Sequence, residues 1–314
     1  MSTHPGLFRE GFRRTWHYQR VLWFIYLISL VLGHFAASPM IHKLDGVTDH
    51  SLHARRLSDM FDYGSFSALS SNPQVKLFES SGISFALSFV FLVIMLFLAG
   101  GILEAYRSGR KLTTREFFEA CGAYFWRWVR LAMLLVIALV PVLILVGSLL
   151  GSISFSILNA AHERAVFRAL VAGAAVLALV LICFRLWFDM AQVRAVVEEE
   201  SGMVQNALHA FKLTFTNFRS LFSMFFVLSL LNWLVLAAGI FVWSKLPPSQ
   251  CRWTLLILEI ALILRFGIRL WQRACEMVWY QRRFLASLAA TTTTTPAPDP
   301  LLSIIPAPVA PPQT

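Results

Sequence analysis

Apolar residues in this chain neither alternate nor keep to one helix face; they run on in blocks. Six blocks reach the ~17–25 residues that a helix needs to cross about 30 Å of hydrocarbon. They are 21–37, 85–103, 131–150, 167–187, 221–243 and 253–271. The first five have uncharged centres, whereas Glu259, Arg265 and Arg269 interrupt the sixth. Blocks this long are helical, because a strand crossing lipid alternates apolar and polar positions. The pattern predicts an all-α fold: a polytopic six-helix transmembrane bundle with interfacial amphipathic helices. The first block, preceded by Arg20 and closely followed by Pro39, reads as a retained span rather than a cleaved leader.

Composition excludes a soluble protein. Of 314 residues 57% are hydrophobic and 14% charged, and the mean hydropathy is +0.66. A soluble fold of this size has too little interior for that much apolar surface. The formal net charge of +10 sharpens the topology. With both termini on one side, segments 1–20, 104–130, 185–219 and 269 onward hold 18 Lys and Arg against 10 Asp and Glu. The opposite segments, 38–83, 152–168 and 245–252, hold 8 and 6. The bias predicts cytoplasmic termini in a bacterial inner membrane. The basic excess then suits anionic lipid head groups at the cytoplasmic face rather than nucleic acid.

The chain divides into an amphipathic arm (1–20), a membrane domain (21–285) and a Thr/Pro-rich tail (286–314) expected to be disordered. In the arm, Leu7, Phe8, Phe12 and Trp16 recur at helical spacing between arginines. Thr113 and Glu116 form a capping-box pattern ahead of Phe117, Phe118, Phe125, Trp126 and Trp128, which predicts a surface helix with an aromatic belt. Segment 204–215 is expected to fold back on the bundle, and Glu198, Glu199 and Glu200 to form a solvated face. The largest outer connection, 38–83, holds Asp49, His50 and His53, weak candidates for a metal site at a spacing that shares a helical face. The same stretch reads better as a capped amphipathic helix. No hydrolase, phosphate-loop or zinc motif accompanies it.

Ionisable and polar residues inside spans are the strongest functional lead in a membrane sequence. Glu259 and Arg265 are the clearest, with Asn232 and His34 as possible partners. They either fix packing or line a polar site for an ion, a lipid head group or a small solute. Arg185 and Asp189, four apart, predict a structural pair along one helix face. Pro141 predicts a kink in the third span. Gly147 with Gly151, and Ala169 with Gly173, predict close contact between the third and fourth spans.

The segments GGILEAYRSGR at 100–110, FDMAQVRAVVEEE at 188–200 and NALHAFKLTFTNF at 206–218 carry a resemblance. The chain resembles a loose group of poorly characterised bacterial six-span proteins that includes the membrane domain of glycerophosphoryl diester phosphodiesterases. The resemblance implies a span leaving the membrane through Asp189, Ala191 and Arg194 into a second amphipathic helix. The catalytic phosphodiesterase domain of some members has no counterpart here. The leading expectation is a non-enzymatic scaffold, accessory subunit or envelope and lipid-homeostasis protein. A small-solute, ion or lipid transporter or channel, and an enzyme using the outer His/Asp-rich loop, stand behind it. No catalytic residue or cofactor is assigned; the expected partners are membrane lipids and another membrane protein or a second copy.

Overall fold

The computed structural model describes residues 6–48, 81–158, 163–199, 202–246 and 251–294. These residues form eight helices: α1 (Gly6–His17), α2 (Gln19–Thr48), α3 (Ser81–Ser108), α4 (Thr114–Leu158), α5 (Glu163–Val197), α6 (Met203–Thr216), α7 (Phe218–Lys245) and α8 (Cys251–Thr294). The protein is a helical, multi-pass membrane protein. Among the described residues five helices, not six, are long and apolar enough to cross a bilayer: α2, α3, α4, α5 and α7. The expected sixth span belongs to α8, a helix of 44 residues. Its apolar stretch carries Glu259, Arg265 and Arg269, and each charge at bilayer depth costs several kcal/mol, on the order of 2.5–3.5. Length alone therefore misjudged this segment.

Packing is concentrated at one end of the bundle. Ile102 and Tyr106 of α3, Cys121 and Trp128 of α4, Met190 and Val193 of α5, and Leu221 of α7 are buried in one core with Ala274 and Met277 of α8. Toward the other end the helices expose large apolar side chains: Phe85 and Phe89 on α3, Ile144 and Leu145 on α4, Trp233 and Phe241 on α7. Such contiguous apolar surface is what lipid covers.

α3 and α4 cross closely because Gly100 and Gly101 present no side chain to α4. A Cβ at Gly101 would lie 2.6 Å from Cys121 Sγ, and one at Gly100 would lie 3.0 Å from Tyr124 Cβ. The sequence expectation placed the tight contact elsewhere. Gly147 and Gly151 are exposed, and an added Cβ at either would have no neighbour within 4 Å among the described residues. The expected surface helix before the third span is instead the first part of α4, which runs unbroken through Pro141. Trp128 is fully buried there, although Phe118 and Trp126 remain exposed. The capping box is present: Thr113 N donates to Glu116 Oε2 at 2.8 Å, and Glu116 N donates to Thr113 Oγ1 at 3.3 Å.

α1 and α6 are fastened to the packed end rather than lying free. Gly11 brings α1 against Cys275 of α8, and Trp271 Nε1 donates to the Phe8 carbonyl at 2.9 Å. α6 folds back as the sequence suggests. Asn206 Nδ2 donates to the Ala191 carbonyl at 2.9 Å, and Trp187 Nε1 to the Ala207 carbonyl at 2.8 Å.

Candidate functional site

Two polar assemblies stand out. The first closes the packed end. Arg14 Nη1 donates to the Tyr106 carbonyl at 2.7 Å and to Gln281 Oε1 at 2.8 Å. Glu10 takes Arg14 and Arg282 at 2.8 and 2.7 Å. Arg107 pairs with Glu104 and with Glu199, and Arg194 with Glu198, which also accepts from Tyr280 Oη. Glu198 is thus partly buried among named partners, whereas Glu199, although paired with Arg107, keeps its side chain 66% exposed and is solvated as expected; Glu200 lies outside the described residues. Burial by itself raises the Glu198 carboxyl, but hydrogen bonds from Arg194 and Tyr280 carry it below its ordinary value. Glu10 follows the same balance, with burial opposed by Arg282 and Arg14. This assembly ties α1, α3, α5 and α8 together.

The second assembly is a half-open cleft of about 730 Å³ between α5, α7 and α8. Arg185 enters from α5, Ser229 and Asn232 from α7, and Arg265, Arg269 and Gln272 from α8; Ile182, Phe225, Leu228 and Phe266 are among its apolar walls. Asn232 stands fourteen residues into α7, about 21 Å along its axis, so the cleft opens well inside the bundle's length. Arg265 Nε donates to Asn232 Oδ1 at 3.3 Å. The Arg185 guanidinium lies 5.5 Å from the centre of the Phe225 ring, a cation–π distance.

Behind the cleft wall lies a buried ionic group. Asp189 is 3% exposed and Glu276 is fully buried. Asp189 meets Arg185 Nε at 3.8 Å and Arg273 Nη2 at 3.7 Å, and Gln272 Nε2 donates to Glu276 Oε1 at 2.8 Å. Both ion pairs are too long for good hydrogen bonds. Among the described residues Asp189 Oδ2, Glu276 Oε2 and Gln192 Nε2 are buried without a hydrogen-bond partner. Burial, and after it the nearby Asp189 carboxylate, push the Glu276 carboxyl well above its ordinary 4.5.

The sequence candidates separate. Arg265 and Asn232 come together on the cleft wall. Glu259 lies apart from them and accepts a hydrogen bond from Tyr26 Oη of α2 at 2.9 Å. His34 is exposed, its ring set edge-on to Phe35. Arg185 and Asp189 are paired as the four-residue spacing suggests, but the pair has further partners. His50, His53 and Asp49 lie outside the described residues, and among those described no three His, Cys, Asp or Glu side chains group to hold a metal ion. Gln272 and Glu276 were missed. A signal existed, since Arg265, Arg269, Gln272 and Glu276 follow a 4-3-4 spacing on α8 while Arg185, Asp189 and Gln192 follow 4-3 on α5.

Compared with protein-family models, with curated proteins and with solved structures, the chain matches none.

Proposed function

We propose that the protein binds the anionic head group of a membrane phospholipid in the α5–α7–α8 cleft and serves lipid or envelope homeostasis in a bacterial cytoplasmic membrane. One observation carries this reading: Arg185, Arg265 and Arg269 converge on a space with apolar walls. Three guanidinium groups in an apolar cleft favour a phosphate, which accepts their planar donors, while the walls suit acyl chains. A water-soluble anion would use only the polar half of the cleft. A cytoplasmic packed end is supported by the Lys and Arg excess of the segments gathered there, where α1 meets the last part of α8.

The test is a titration of the purified full chain in detergent. The probes are dihexanoyl phosphatidylglycerol, dihexanoyl phosphatidylcholine, and glycerophosphoglycerol as the head group alone. The anionic lipid is expected to bind at least about tenfold tighter than the zwitterionic one. It should also bind tighter than the free head group. The double variant Arg265→Gln/Arg269→Gln should erase the preference. Equal affinity for both lipids, or an unchanged preference in the variant, would overturn the reading.

A further inference from the structure

The cleft and the buried ionic group share two walls, and neither residue involved has a role in only one of them. Arg185 lines the cleft and pairs with Asp189; Gln272 lines the cleft and donates to Glu276. We infer that Asp189 and Glu276 form a proton site coupled to the cleft, so that an anionic head group entering beside Arg185 brings one proton onto Glu276. This rests on the lipid reading above and adds its regulation.

With Glu276 ionised, Arg185 and Arg273 are balanced by Asp189 and Glu276, and Arg185 is held toward the protein. With Glu276 protonated, Arg273 suffices for Asp189, and one positive charge is left for the cleft to present through Arg185. Arg185 is placed for both tasks. Its side chain is 39% exposed, and its 3.8 Å contact to Asp189 is a loose ion pair rather than a hydrogen bond. The proton has a place to go, because Glu276 Oε2 is buried without a hydrogen-bond partner among the described residues. The reaction is simple: the carboxylate takes a proton from water, and no other bond changes.

The remaining neighbours do not supply a competing site. On α8, Arg273 faces Asp189, and the Cys275 thiol is held up at about 12 by burial and then by Glu276, so it stays neutral. α3 contributes Tyr106, whose ring is buried. On α1, Glu10 and Arg14 are engaged by Arg282, Gln281 and the Tyr106 carbonyl, and Arg9, Arg13 and His17 are exposed. α7 lines the cleft with Phe225, Ser229 and Asn232, none of which titrates near neutrality. α2 meets α8 at Glu259, about 25 Å along the helix from Glu276.

Linkage fixes the sign. If ligand binding raises the proton affinity of Glu276, protonation must raise ligand affinity by the same factor. Affinity should therefore fall as pH rises, by on the order of 5- to 30-fold in total and by no more than one proton per ligand.

The experiment titrates the full chain with dihexanoyl phosphatidylglycerol from pH 6 to 9, a range over which its phosphodiester does not titrate. Calorimetry in buffers of different ionisation heat counts the protons taken up. The wild type should take up a fraction of one proton and lose affinity with pH. Glu276→Gln should bind at all pH values with the wild-type affinity of low pH and take up none. Asp189→Asn should move the pH midpoint down, since Glu276 then lacks a like-charged neighbour. Binding without pH dependence in the wild type, or an unchanged dependence in Glu276→Gln, would overturn the coupling while leaving the lipid site intact. The infrared carboxyl band of the ligand-free protein decides the proton site independently of any lipid. A protonated carboxyl near neutral pH that Glu276→Gln removes supports it, and its absence refutes it. No binding of the lipid at any pH would remove the cleft reading instead.

Discussion

Gly101→Ala isolates the close crossing of α3 and α4. The added methyl would meet Cys121 Sγ at 2.6 Å and Phe117 Cε2 and Cδ2 at 2.8 and 2.9 Å. Carbon contacts settle near ~3.5–4.0 Å, so about 1 Å has to be found. Cys121 is fully buried and cannot swing into open space; the helices must part or Phe117 must leave its rotamer. Overpacking of this kind costs about 1–3 kcal/mol. Replacing glycine by alanine inside a helix also gains about 0.8–1 kcal/mol of propensity, which would mask part of the effect. Gly147→Ala is the matched reference, because it offers the same propensity with no neighbour within 4 Å among the described residues. The difference between the two variants is then the clash alone. At roughly 2–4 °C per kcal/mol, Gly101→Ala should melt about 2–12 °C below Gly147→Ala in a detergent-based thermal assay. Cys121→Ala should recover part of the loss when combined with Gly101→Ala, since it removes the nearest atom but leaves Phe117. A Gly101→Ala midpoint equal to or above that of Gly147→Ala would refute the crossing geometry.

Other contacts make independent expectations. Trp187→Phe deletes the donor to the Ala207 carbonyl and should cost about 1–3 kcal/mol. Amide exchange should quicken in α6 before α3 or α4, and uniform acceleration would count against the docking. Tyr26→Phe strips Glu259 of its hydrogen bond; it should destabilise by a similar amount, whereas Glu259→Gln keeps an acceptor and should change less. Equal losses in the two variants would show that the hydrogen bond is not what holds α2 to α8. Glu10 and Glu198 lie below the ordinary 4.5 in the folded protein. Their contribution is present above 4.5 and is lost as pH falls through the lowered values. Denaturation midpoints followed from pH 6 down to 3 should therefore drop less steeply in Glu10→Gln/Glu198→Gln, and parallel curves would exclude these carboxylates.

The spans were legible because a run of apolar residues has one physical outcome in lipid. α2, α3, α4, α5 and α7 all contain the runs that announce them. α8 was not, because its apolar stretch and its charges point in opposite directions and composition decides against it. α6 was visible as a segment that returns to the bundle, since its buried Met203, Ala207 and Ala210 keep helical spacing. Gly147 and Gly151 misled for a definite reason. A small-residue spacing marks a surface that permits close contact, and only the three-dimensional path of the chain decides whether a helix arrives there. It arrives at Gly100 and Gly101, and among the described residues none arrives at Gly147. Likewise Arg185 and Asp189 were legible as a pair within one helix. Their meeting with Arg273 and Glu276 depends on how α5 packs on α8, which no local spacing encodes.

The position of the cleft follows from the uneven packing of the bundle. On α5, burial is continuous from Met190 to Val193 and gives way beyond Leu186; on α7 it gives way beyond Leu228, and on α8 it is continuous only from Ala274 to Val278. Arg185, Asn232 and Arg269 stand close to those limits and line a lateral opening between the three helices, while α7 and α8 meet again farther out at Gly239 and Ala261. A charged residue deeper in the packed end would need a partner for every polar atom, as Glu198 and Glu10 have. One farther out would lie in hydrocarbon without relief. The boundary between the two regimes is where an arginine can keep one side against protein carboxylates and turn the other toward a ligand. Glu276 has no such choice: fully buried inside that boundary, it can relieve its charge through Arg273 and Arg185 or by taking a proton. The same uneven packing that opens the cleft therefore makes the occupancy of the cleft and the charge of Glu276 one problem, since Arg185 serves both.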